Sequence, residues 1–189
     1  MTKSAGARAR KLNATSLENA ALHYLGRFAS SSANLRRILM RKVARAAEDD
    51  AEKADGARLV EALITRLLQS GLLDDRAYAA QAAASLARRG TSRHSIAAKL
   101  AQKGVVPELV QEIRAGLDAE GMSELAAACA LLRRRRLGAY RRTAPSPDQR
   151  RKDLASLARA GFGLDIARRV LAAPDIEAVE ALMRGEGES

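Results

Sequence analysis

Asp74 and Asp75 stand side by side in the stretch GLLDDRAYAA, residues 71–80. Two carboxylates can act as general acid and general base when they face a shared cleft that separates their pKa values. The spacing here predicts a different job. Gly71 closes one helix and Asp74 caps the next, with Leu73 just before the cap and Tyr78 four residues after it, the arrangement of a hydrophobic staple. Asp75 then falls in the first turn, where the helix dipole favours a negative charge. His23, beside Tyr24, and His94, just after Thr91-Ser92, have no second His, Cys or acid at metal-ligand spacing. Cys129, the single cysteine, lies in the apolar run ELAAACALL and reads as a small core residue. Gly-rich phosphate loops, G-x-S-x-G and H-E-x-x-H are missing. The expectation is no catalytic residue, no cofactor and no metal: a binding scaffold, not an enzyme.

Charge gives the stronger signal. The 189 residues hold 33 Lys and Arg against 22 Asp and Glu, a formal net charge of +11, which predicts attraction to a polyanion or an acidic protein surface. Three clusters carry it. The first is Arg36, Arg37, Arg41 and Lys42; the second is Arg88, Arg89, Arg93, Lys99 and Lys103; the third is Arg133, Arg134, Arg135, Arg136, Arg141, Arg142, Arg150 and Arg151. A solvated face explains any one arginine, but like charges a turn apart repel unless a partner neutralises them. Aromatics make up 3% of the chain with no Trp, too few for a base-stacking platform, so contact with nucleic acid would run through phosphates.

The elements that must position these residues are helices. Apolar residues recur at three- and four-residue spacing, as in Leu59, Leu63 and Leu67, and period-two alternation is absent, so the chain is all-α. Helices of about 11 to 16 residues are expected, with Gly71, Gly90, Gly104 and Gly161 following periodic runs as stops and Pro107 opening a first turn. The sequence also repeats. Leu100, Gly104, Val105, Glu108, Leu109 and Ile113 align without gaps on Leu157, Gly161, Phe162, Asp165, Ile166 and Val170. Residues 35–42 align on 96–103, with Val43 where the glycine would fall. That periodicity predicts tandem three-helix units: a basic N-terminal arm at 1–16, unit one at 17–71 with a polar insertion at 47–56, unit two at 72–118, unit three at 119–174 with a basic linker at 141–150, and a C-terminal tail at 175–189. No apolar run is long enough to span a bilayer and one cysteine forms no internal disulfide framework, so a soluble, cytoplasmic, monomeric protein is expected.

Three stretches carry a resemblance: L22-H-Y-L-G-R-F-A-S-S-S-A-N-L-R-R-I-L-M-R-K42, G71-L-L-D-D-R-A-Y78, and A87-R-R-G-T-S-R-H-S-I-A-A-K-L-A-Q-K-G-V105. Their order and spacing resemble the RecX family, bacterial regulators of the RecA recombinase, over residues 17–173. Gly71, Leu73, Asp74, Asp75, Tyr78, Gly90 and Gly104 fall in the signature, and Gly161 repeats it. The resemblance implies an elongated, curved body of helix-turn-helix-like repeats that binds the RecA nucleoprotein filament and inhibits its recombinase, ATPase and coprotease activities, with DNA contacted weakly or through RecA. The three basic clusters are the expected contacts. The insertion at 47–56, Val43, and Ser31 and Ser32 depart from the family pattern in unit one. A different class, a stand-alone helical DNA-binding protein acting through phosphates, fits the charge as well.

Overall fold

A computed structural model describes residues 13–119 and 122–185. Among the described residues are ten α-helices: α1 (Ala14–Leu25), α2 (Ser32–Ala46), α3 (Asp50–Gln69), α4 (Asp75–Arg88), α5 (Arg93–Gln102), α6 (Pro107–Ala119), α7 (Glu124–Arg135), α8 (Pro147–Arg159), α9 (Leu164–Leu171) and α10 (Ile176–Arg184). A short 3-10 turn covers Gly138–Tyr140, and there is no strand among the described residues. The all-α class expected from periodicity is the one observed.

Two compact units divide between Tyr78 and Ala79. In the first, α2 and α3 pack along each other and α1 lies against both. Leu17, Ala21, Leu35, Leu39, Val43, Val60, Ile64 and Leu67 form one core. Val43 occupies the position aligned with Gly104, yet it is wholly buried and α2 runs on to Ala46. A branched apolar residue at that place extends the helix, where glycine stops α5. Residues 50–56 of the polar stretch at 47–56 are the start of α3. Asp49 caps it, accepting a hydrogen bond from Glu52 N–H at 2.8 Å, and Asp50 and Glu52 sit in its first turn. With that extension α3 reaches 20 residues, longer than the periodicity suggested, while α5, α9 and α10 are shorter.

In the second unit α5 packs on α6, and α7 is the hub on which α9, α10 and the 3-10 turn converge. Leu125, Ala128, Cys129, Leu131, Leu132, Leu157, Phe162, Val170 and Val179 share a core. Residues 176–184, placed in the tail by the sequence reading, are helix α10: Asp175 caps it and Val179 is fully buried. The signal was the Pro174-Asp175 start followed by apolar residues at helical spacing. Likewise residues 147–150 of the expected linker already belong to α8, opened by Pro147 with Ser146 and Gln149 forming a capping box.

One closure recurs at the helix ends. Thr91 N–H bonds Leu86 O, Val105 N–H bonds Leu100 O, Leu137 N–H bonds Leu132 O and Phe162 N–H bonds Leu157 O, at 3.1, 3.1, 3.0 and 3.2 Å. This is the Schellman turn, which needs a left-handed residue one position earlier. Gly90, Gly104 and Gly161 supply it with φ of 74°, 79° and 87°; the fourth is Arg136, at φ 53°. The 104 and 161 turns are offset by the 57 residues of the sequence repeat. At two of these turns glycine answers a second need. A Cβ on Gly90 would stand 2.5 Å from Leu131 N and 2.9 Å from Ala127 O, both backbone atoms of α7, and a Cβ on Gly161 would stand 2.6 Å from Ser92 Oγ. At Gly71, also left-handed at φ 72°, nothing lies within 4 Å of that position.

Gly71→Ala is therefore expected to cost about 1 kcal/mol, the left-handed penalty alone. Gly90→Ala, which adds a backbone collision, is expected to cost at least about 3 kcal/mol. Thermal or urea unfolding of the two variants measures the difference, and equal losses would refute the close approach of the two helices.

Candidate site: carboxylate clasps and a cationic surface

Asp74 does what its spacing predicts, accepting a hydrogen bond from Ala77 N–H at 2.9 Å as the cap of α4. Asp75 does more. It is half-buried, and its carboxylate takes the N–H of Ser32 at 2.7 Å and the Ser32 hydroxyl at 2.6 Å. Ser32 is the first residue of α2, so one carboxylate lies between two helix N-termini, its own and that of α2. Asp75 stands in the first turn of α4, as the spacing predicts, and adds a long-range contact to that role. Its bond to a residue 43 positions away could not be read from local spacing.

The same device recurs in the second unit. Glu124, the first residue of α7, accepts the N–H of Arg93, the first residue of α5, at 3.0 Å, and the Arg93 guanidinium lies 3.5 Å from the same carboxylate. Burial pushes the Glu124 carboxyl above the usual carboxylate range, against the opposing pull of the Arg93 N–H and the charges of Arg93 and Arg114. In both cases the opening acid of one helix clasps the opening amide of another. Around the first clasp lies a polar knot: Ser31 caps α2 through Asn34 N–H at 3.2 Å, and the Asn34 amide donates to Ser30 Oγ at 2.8 Å and to Tyr24 OH at 3.3 Å. Ser31 and Ser32, departures from the expected pattern, thus have structural partners. Tyr78 is half-buried beside Tyr24 and Asp75, and its phenol is pushed upward, by burial first and then by those two neighbours.

Of the basic residues singled out by sequence, many are held inside their own unit. Arg36 grips Glu61 of α3 through Nε and one terminal nitrogen, which donate to the two carboxylate oxygens at 2.7 and 2.8 Å. Arg93 belongs to the clasp, and Arg37 and Lys103 have interactions of their own. Arg89 bonds Ser85 O, Arg134 bonds Arg89 O, Arg135 bonds Ser156 Oγ and Arg150 bonds Pro145 O. Arg151 pairs with Asp148 at 3.1 Å, where both are exposed and the pair contributes little. Arg141 pairs bidentately with Asp153, which is 2% exposed and also accepts Gly138 N–H at 3.0 Å. Burial alone would raise the Asp153 carboxyl; the bonds from Arg141 and Gly138 outweigh it and hold the group below its ordinary value.

The remainder are exposed and make no side-chain hydrogen bond or ion pair among the described residues: Arg41 and Lys42 on α2, Arg88 on α4, Lys99 on α5, Arg133 and Arg136 at the end of α7, and Arg142. The Arg134 bond to Arg89 O brings the basic end of α7 to the basic end of α4. His23 and His94 are exposed, and Cys129 is fully buried, its thiol pushed up to about 11 by burial. No helix among the described residues is long and apolar enough to cross a membrane.

Helical units of this kind, with half-buried clasps at their helix starts and unpaired cations outside, define a tandem helical-repeat protein. Residues 74–113 match the family model described as RecX, second three-helix domain. The chain is 44% identical over 167 residues to the regulatory protein RecX of Myxococcus xanthus, covering 87% of this chain and 88% of that protein. It is 34% identical over 164 residues to the regulatory protein RecX of Agrobacterium fabrum, covering 87% and 86%, and 32% identical over 147 residues to that of Thermobifida fusca, covering 74% and 77%. No solved structure matches. The chain belongs to the RecX family.

Two outcomes follow from the half-buried Asp75 and the buried Asp153. Asp75→Ala orphans the Ser32 N–H and is expected to cost about 1–2 kcal/mol, more than Asp74→Ala at the exposed cap, as read by urea unfolding. Asp153→Asn is expected to cost about 3 kcal/mol because it leaves Arg141 without its charge partner. A depressed carboxyl contributes stability that is present above its unfolded pKa and lost as pH falls through its folded one. Unfolding free energy should therefore decline on acidification through and below the ordinary carboxylate range, and the decline should shrink in Asp153→Asn.

Proposed function

We propose that this chain binds the RecA nucleoprotein filament through its unpaired cations and lowers the filament's recombinase, ATPase and coprotease activities. Family membership carries the reading: the relatives that match over most of their length are named regulatory proteins. The surface chemistry is consistent with it. A filament groove exposes a phosphate backbone beside protein carboxylates, and guanidinium groups kept out of internal ion pairs suit both. We assign the contacts to the free members of the three clusters, Arg41 and Lys42, Arg88 and Lys99, and Arg133, Arg136 and Arg142. Arg36, Arg93 and Arg141 work mainly as internal braces.

Affinity on this reading is the product of several modest contacts. The units 17–71, 72–118 and 119–174 act as tandem modules, each engaging a stretch of the filament, so that binding of one raises the effective concentration of the next. The protein acts as a soluble cytoplasmic monomer without catalytic chemistry of its own. DNA alone is bound weakly through phosphates, and tight sequence-selective binding to naked DNA, indifferent to RecA, would instead make the chain a stand-alone DNA-binding protein.

Micromolar protein is expected to reduce RecA-driven ATP hydrolysis on single-stranded DNA, and the reduction should fade as salt rises from about 50 to about 200 mM. The pair Arg41→Ala and Lys42→Ala, at exposed positions, should change stability by less than about 0.5 kcal/mol yet weaken the inhibition. Hydrolysis that is unaffected by the wild-type chain at low salt would overturn the assignment.

A further inference from the structure

Two stretches of the first compact unit leave large apolar side chains in water. Leu22 and Phe28 lie at and just past the end of α1, and Leu68 and Leu72 at and just past the end of α3, with 41–53% of their surface exposed. The fold puts both stretches at one end of the unit. α1 leads into Ser32 and α3 leads into Asp75, and those two residues are joined by the Asp75 clasp. Further back, Glu18 of α1 pairs with Arg66 of α3, so the two helices stay side by side up to Leu22 and Leu68. Phe28 is held in place: its ring centroid lies 5.2 Å from that of Tyr24, whose hydroxyl accepts from the Asn34 amide, and the Arg27 guanidinium sits 5.6 Å from the same centroid. The chain's other phenylalanine, Phe162, is buried in the core of the second unit. A fixed, half-exposed aromatic ring beside exposed leucines, with an arginine at its edge, has the composition of an interface centre.

We infer that Leu22, Phe28, Leu68 and Leu72 form a docking surface for the apolar face of a partner protein whose rim carries carboxylates. The inference deepens the proposed function and rests on it for the partner: the contact is with RecA protein, not with DNA. Arg27 sets the charge of the rim, because it lies over Phe28 and makes no ion pair among the described residues. The chain's own ends do not match. Residues 1–12 carry Lys3, Arg8, Arg10 and Lys11 with no acid among them and would repel Arg27, and residues 186–189 hold no large apolar side chain. A second copy does not match either. A stable dimer buries about 800 Å² per partner, whereas four half-exposed side chains make a patch of roughly a few hundred Å², the size that monomers keep for function. Salt screens exposed charges but does not weaken apolar burial, so this contact persists where the phosphate contacts of the free cations fade.

The test is biolayer interferometry of the full chain on immobilised RecA without DNA, at about 0.3 M salt, where exposed charges are screened, alongside thermal unfolding. Wild type is expected to bind. Phe28→Ser and Leu72→Ser, at exposed positions, are expected to leave Tm unchanged or raised while affinity falls at least about fivefold. Phe28→Leu keeps an apolar side chain and should retain most of the affinity. Leu164→Ser removes an exposed apolar side chain from the other unit and should bind as wild type does. Arg27→Glu, read at about 50 mM salt, should bind severalfold more weakly. A Phe28→Ser or Arg27→Glu affinity equal to wild type, or no binding of wild type to DNA-free RecA, overturns the site; ATPase inhibition at low salt, measured alongside, decides the proposed function separately. Sedimentation velocity of the chain alone completes the set: a wild-type dimer that is lost in Phe28→Ser makes a second copy the occupant and also overturns the inference.

Discussion

The interaction on which the rest depends is a single carboxylate set between two helix N-termini. A helix start leaves its first amides without intrahelical acceptors and concentrates partial positive charge there. Bringing two such ends together would be repulsive unless an anion lay between them. Asp75 does this for α4 and α2, and Glu124 for α7 and α5. The solution fixes angle and register at once, because the acid must be the opening residue of one helix and must reach the opening amide of another. It also explains why the second helix of each pair starts next to a serine cap: Ser31 and Ser92 satisfy one amide and leave the neighbouring one for the distant carboxylate.

The same logic sorts the excess of positive charge. Arginines near a carboxylate or an open carbonyl are drawn inward and become fasteners, as Arg36 does with Glu61 and Arg141 with Asp153. Those left over are the ones available to an external anion. A formal charge of +11 therefore overstates nothing about attraction at long range, but it says little about which side chains touch a partner. Adjacent residues can have opposite assignments, as along residues 133–136.

Much of the fold was legible in the sequence because its signals are local. Periodicity gave the helices, the glycines at 90, 104 and 161 gave their ends, and the gapless alignment of 100–113 on 157–170 gave the repeated turn. Asp74 was legible as a cap for the same reason. What was missed depends on distance: the reach of Asp75 to Ser32, of Glu124 to Arg93, and the burial of Asp153 under Arg141 join residues that no short window contains. Helix α10 was hidden for another reason, since its apolar stripe of Ile176, Val179, Leu182 and Met183 follows Pro174 and looks like the end of a periodic region. The division of the basic clusters into braced and free members required coordinates, because charge in a sequence carries no record of its partner.

Cys129 gives the second unit a property of practical use. The thiol is the chain's single cysteine, lies in the middle of α7 with no exposed surface, and is held protonated by its apolar surroundings. A disulfide reagent attacks only thiolate that solvent can reach. Labelling at this atom consequently waits for α7 to come away from α9 and α10, and its rate under native conditions reports how often that core breathes. The molecule thus contains an intrinsic, residue-specific gauge of local opening that needs no engineered probe.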